Sequence, residues 1–142
     1  MEVQDGIGAS ITVELSVRLD ELDYLGIVHT SNYLKYMEHA RVKLLEKYDV
    51  DLLAWLNKGI RSIVVNDTIN YRQPAHYGEL LEITCMVEKF GRSSTTLTYK
   101  IVEKKSGKEV LNGSTTMVCI NNEGKPTPIP EEIKAKFGFK SL

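Results

Sequence analysis

Cysteine is nearly missing from this chain of 142 residues: Cys85 and Cys119 are its only two, each alone in an apolar segment. They make no CxxC pair and at most one bridge, which excludes a disulfide-stapled scaffold; each is expected to be a reduced, buried small hydrophobe. Excess charge of one sign is lacking too. The 18 Lys plus Arg nearly balance the 19 Asp plus Glu, which argues against nucleic acid as the main partner, since that ligand selects a basic face. No run approaches the roughly 20 apolar residues that span a bilayer. The acidic start, Met-Glu-Val-Gln-Asp-Gly, lacks the basic and apolar regions of a signal peptide. These features point to the cytoplasm, where the sequons at Asn66 and Asn112 carry no meaning.

Several reaction centres are absent as well. There is no Gly-x-Ser-x-Gly elbow. Ser106-Gly107-Lys108-Glu109 lacks the remaining residues of a phosphate loop. His29, His39 and His76 make no metal-ligand spacing with either cysteine, so neither a metal nor a cofactor is called for.

What is present suits one domain over residues 1–142, with 42% hydrophobic residues to build a core. Residues 1–9 read as a loose lead-in. Over residues 11–19, Ile11, Val13, Leu15, Val17 and Leu19 alternate with polar residues, the pattern of a half-buried strand. The period then lengthens. Tyr33, Met37, Ala40 and Leu44 recur at three and four residues, predicting an amphipathic helix over 31–47, capped by Thr30 or Ser31. A short helix is expected over 51–58, stopped by Gly59. Residues 61–72, 79–89, 94–104 and 109–120 are rich in β-branched residues and read as four strands. A short segment around 131–136 follows. The order β, long α, then four strands indicates α+β, an antiparallel sheet on one main helix. One helix covers only one face of such a sheet, so pairing with another copy is expected.

The turn over residues 20–30 is the place for chemistry. A helix start gathers unpaired amides carrying partial positive charge, able to polarise a carbonyl. Gly26 permits a tight path and close approach of a ligand. Asp23, just before it, can attack a polarised carbonyl or deprotonate a water that does, which suits acyl transfer to water. An acidic residue ahead of a helix also simply favours the helix dipole, and position alone leaves both readings open.

The string Asp20-Glu21-Leu22-Asp23-Tyr24-Leu25-Gly26-Ile27-Val28-His29-Thr30-Ser31-Asn32-Tyr33, followed by Glu38-His39-Ala40-Arg41, resembles the hot-dog-fold acyl-CoA thioesterases of the 4-hydroxybenzoyl-CoA thioesterase type. Tyr71-Arg72-Gln73-Pro74-Ala75, Gly91-Arg92-Ser93-Ser94 and Pro128-Ile129-Pro130 are similar to that family's later turns, so the likeness covers about residues 10–135. The resemblance implies a sheet of about five antiparallel strands wrapped around the long helix, in a homodimer or homotetramer with active sites at the dimer interface. It implies Asp23 as nucleophile or general base, amides near Val28, His29 and Thr30 as polarising donors, and Gly26 and Tyr33 as substrate-binding residues. Arg92 and Ser93 are candidates for coenzyme A contacts, since guanidinium suits phosphate. His29-Thr30 departs from the pairs many relatives carry there, so a role for the His29 side chain stays open. Glu38 and Arg41 are expected to pair on the helix surface, Trp55 to anchor packing, and His39 and His76 to be structural. The implied activity is hydrolysis of acyl-CoA to acid and coenzyme A. Hydrolysis of acyl carrier protein thioesters and non-catalytic acyl-CoA binding are the alternatives.

Overall fold

A computed structural model describes residues 8–139 together with Gln4–Asp5. Strand β1 (Gln4–Asp5) is followed by β2 (Ser10–Ser16), α1 (Thr30–Lys47), α2 (Leu52–Asn57), β3 (Arg61–Tyr71), β4 (Leu80–Phe90), β5 (Ser94–Glu103), β6 (Glu109–Ile120) and α3 (Glu131–Lys136). Of the expected loose lead-in, Gln4–Asp5 instead pairs with β4, and the remaining residues before Gly8 lie outside the described residues. Among the described residues, no helix is long and apolar enough to cross a membrane.

All pairings are antiparallel, and the five long strands run in the order β2, β4, β5, β6, β3, with β1 beside the end of β4. Bulges lie between Val64 and Asn66, Val87 and Lys89, and Ile101 and Val102. Each extra residue bends and twists its strand, which curls the sheet around α1. This is the α+β hot-dog arrangement. Gly113 of β6 shows why a glycine can stand inside a strand. A Cβ there would lie 2.5 Å from the Thr68 carbonyl oxygen, so only glycine lets β3 approach.

Helix α1 buries Tyr33, Met37, Ala40 and Leu44, the stripe its spacing predicts, together with Asn32 and Tyr36. These meet the inner face of β4 and β5, where Leu81, Ile83, Cys85, Val87, Tyr99 and Ile101 are buried. Phe90, Phe137 and Phe139 pack ring to ring across the far end. Both cysteines are free and buried, and burial raises both thiol pKa values, Cys85 to about 12.

Three expectations are corrected. Strand β2 ends at Ser16, because a single 3-10 turn over Leu19–Glu21 takes the chain over; Leu19 is 68% exposed instead of facing the core. Helix α1 starts at Thr30, and its cap is His29, whose Nδ1 accepts from the Ser31 amide at 3.1 Å. Strand β3 is the sheet edge, and every residue in it except Ile69 is exposed, including Ile63, Val64 and Val65. Among the described residues, nothing covers these exposed apolar side chains.

Candidate active site

Residues 22–28 form a tight hairpin just before α1. Leu22 bridges Val28, the Asp23 amide donates to the Ile27 carbonyl at 2.9 Å, and the Gly26 amide donates to the Asp23 carbonyl at 3.1 Å. The Leu25 amide donates to Asp23 Oδ1 at 2.8 Å, an Asx turn of the kind Asp forms with its own backbone two residues on. Gly26 has φ +81°, in the left-handed region, which closes the turn. The carboxylate of Asp23 is thus half-buried and fixed through one oxygen. Its other oxygen takes no hydrogen bond among the described residues.

The hairpin is bolted to its surroundings through Glu21 and Ala75. The Glu21 carbonyl accepts from the His29 amide and from Asn32 Nδ2, both at 2.9 Å, and its carboxylate accepts from the Arg18 amide and the Tyr36 hydroxyl. The Ala75 carbonyl accepts from the Val28 amide at 2.9 Å, while the Ala75 amide donates to the Tyr33 hydroxyl at 3.2 Å. These bonds decide which helix-start amides are free. Val28 and His29 are both engaged, so neither can polarise a substrate, and the Ser31 amide is spent on the His29 cap. The Thr30 amide alone in that stretch has no acceptor among the described residues.

Thr30 faces a recess of about 270 Å³, lined also by Val28, Tyr33, Tyr71, Arg72 and Pro74. The rings of Tyr33 and Tyr71 are 5.6 Å apart. Burial is the main influence on the Tyr33 phenol and raises its pKa, against the opposing bond from Ala75. It therefore stays a neutral phenol at neutral pH. Asp23 does not line this recess, but its charge is felt by Tyr33, which does; a free amide there suits polarisation of a carbonyl.

A second cavity, about 320 Å³, lies beside the C-terminal half of α1, between Leu45, Trp55, Leu97, Met117 and Phe137. Trp55, expected as a packing anchor, forms one of its walls. Arg41 does pair with Glu38 as its spacing suggests, but from a largely buried position. Its side chain is only 13% exposed, with Nη1 donating to the Tyr99 hydroxyl at 3.0 Å and Glu38 at 3.8 Å. His39 is exposed, and His76 contacts Glu79 through Nδ1 at 3.3 Å.

Within one chain, Arg92 and Ser93 are not brought to Asp23. The hairpin packs at the Leu80 end of β4, whereas Arg92 and Ser93 follow Phe90 at its other end, about 33 Å away for a strand of that length. Their carbonyls accept from the Ile129 and Cys119 amides. Glu21, Asn32, Tyr36 and Tyr71 escaped the sequence reading. Asn32 carried a usable signal, a polar residue on a buried stripe that must find a partner. Among the described residues, no three of His, Cys, Asp and Glu converge as metal ligands would.

Residues 17–137 match the thioesterase-like superfamily. The chain is 31% identical over 110 residues to a putative acyl-CoA thioesterase of Bacillus subtilis, covering 78% of this chain and 79% of that one. It is 34% identical over 109 residues to the long-chain acyl-CoA thioesterase FadM of Escherichia coli, covering 76% and 81%. The crystal structure of a 1,4-dihydroxy-2-naphthoyl-CoA thioesterase from Synechocystis superposes with a TM-score of 0.85 over 91% of this chain and 96% of that one; at 23% identity it shows the fold alone. The chain belongs to the thioesterase-like superfamily and is a thioester hydrolase of the hot-dog fold.

Proposed function

We propose that this protein hydrolyses acyl-CoA thioesters to a free carboxylic acid and coenzyme A, with Asp23 as the catalytic carboxylate. The observation that carries this reading is the free oxygen of Asp23, fixed in the hairpin that leads into α1, together with the free Thr30 amide at the start of that helix. The thioester carbonyl oxygen accepts from that amide, which stabilises the negative charge that develops there. Asp23 then either attacks the carbonyl carbon or removes a proton from an attacking water. In the first case a mixed anhydride forms as the carbon–sulfur bond breaks, and water cleaves it to the acid and regenerated Asp23. In the second, the tetrahedral intermediate expels the thiolate directly. Either way coenzyme A leaves as thiolate and takes up a proton.

The protein acts as a homodimer, joined edge to edge through β3. Eleven residues of β3 present an open edge bearing exposed Ile63, Val64 and Val65, a surface that invites another strand. Full-length antiparallel pairing sets the Tyr71 end of one copy beside the Arg61 end of the other. Arg92 and Ser93 lie at the Arg61 end of the sheet, since Arg61 pairs with Ile120 and Val118 with Ser94. Pairing thus carries them toward the other copy's recess, where a guanidinium suits coenzyme A phosphates. Two reduced, buried cysteines fit a cytoplasmic setting.

Thiol release from acyl-CoA and acyl carrier protein thioesters tests the reading. Turnover of acyl-CoA with little on the carrier-protein substrates is expected; the reverse preference would replace the substrate, and binding without turnover would replace the activity.

A further inference from the structure

The larger cavity has no part in the bond-breaking at Asp23, yet it leaves about 320 Å³ open beside the core. Protein interiors hold few voids larger than a water, and an unfilled one lowers stability. Its depth is graded. Val42 and Leu52 at the mouth are 40% and 48% exposed, whereas Val87, Phe90, Leu97 and Phe137 at the floor are buried. Of the charged groups that line it, Arg41 is engaged by Tyr99 and Glu38, and Arg61 stands on the exposed edge strand. Near the floor, Cys119 offers only a thiol kept protonated by burial. The floor thus rewards apolar surface and offers a polar substituent very little, while the polar residues Arg61, Ser62 and Thr95 line it elsewhere.

We propose that this chamber seats the acyl group of the substrate, and that the acyl group is an unbranched aliphatic chain, not an aromatic ring. The proposal rests on the thioesterase reading above. If a methylene fills the ~30 Å³ of one water, the chamber holds a chain of about ten carbons. A benzoyl-sized ring held at the carbonyl would leave most of the chamber empty. The route follows from the edge strand. Tyr71 lines the reaction recess and Arg61 lines the chamber, at opposite ends of β3. Antiparallel pairing of two copies therefore opens the recess of one toward the chamber of the other. Within a single chain the path is less direct, since Thr30 and Glu38 are about 12 Å apart along the helix.

The test is kcat/KM for the wild-type dimer on straight-chain acyl-CoAs from butyryl to hexadecanoyl, with benzoyl-CoA beside them. The expected profile rises by about two- to fourfold per methylene, peaks near decanoyl and leaves benzoyl-CoA far below the peak. Leu97→Trp and Cys119→Phe thicken the floor and are expected to move the peak to shorter chains. A benzoyl preference, or a peak that both floor variants leave in place, overturns the chamber assignment while leaving the thioesterase reading standing. If no acyl-CoA is turned over, the thioesterase reading falls and titration with alkyl-CoA thioethers decides the chamber. Decyl-CoA binding far tighter than ethyl-CoA supports it, and equal affinity overturns it. The same titration serves if the floor variants do not fold.

Discussion

The Tyr36 hydroxyl donates to the carboxylate of Glu21 at 2.9 Å, tying the second turn of α1 to the segment that leads into the Asp23 hairpin. Burial first, and then Glu21 itself, raise the Tyr36 pKa, so the phenol keeps the proton it donates. Tyr36 touches no reacting atom in this account; it positions Asp23 through Glu21. Tyr36→Phe removes one hydrogen bond, a cost of about 1 kcal/mol. It is expected to lower kcat on the order of tenfold with KM nearly unchanged, and steady-state kinetics read that split. Equal changes in both constants, or none, would contradict the positioning role.

Gly26 closes the same hairpin at φ +81°, and a Cβ built there meets nothing within 4 Å. The penalty for Gly26→Ala is therefore backbone strain without a clash, about 1–2 kcal/mol. Turnover is expected to fall about tenfold while thermal unfolding shifts by only a few degrees. Gly26→Asn, which tolerates the left-handed region better, is expected to lose less.

Strand β3 predicts its own disruption. Ile63→Lys or Val65→Lys sets charge on the open edge, a device that blocks strand addition. Light scattering is expected to show a monomer where wild type is a dimer, with thioesterase activity lost in step because each site draws on both copies. A variant that stays dimeric and active would remove the edge-to-edge arrangement.

The thiols give a check on the core. With the Cys85 pKa pushed to about 12 and Cys119 also raised by burial, both stay protonated at pH 8, and the protonated form does not react. Iodoacetamide is expected to leave both unmodified in the native protein and to alkylate both in denaturant. Rapid native labelling of Cys85 would show that the core opens readily.

Much of this was legible in the sequence because two periods differ so plainly. The spacing of Tyr33, Met37, Ala40 and Leu44 marks α1, and the four β-branched runs mark β3 to β6. Position of the hairpin was legible through Asp23 and Gly26. The identity of the free amide was not, since it depends on the long-range acceptors Glu21 and Ala75, which claim the His29 and Val28 amides. Likewise Leu19 continues the alternation of β2 but leaves the core, because the carboxylate of Glu21 captures the Arg18 amide and turns the chain. Arg41 looked like half of a surface pair. Only the fold shows Tyr99 waiting beneath it.

The central claim is the role of Asp23, and Asp23→Asn keeps its size and one acceptor oxygen while removing the carboxylate. Thiol release from the best acyl-CoA substrate, with unfolding and oligomer size compared in parallel, tests that claim most directly. Turnover is expected to fall at least about a hundredfold in a variant that folds and assembles as wild type does. Turnover within a few-fold of wild type would contradict it.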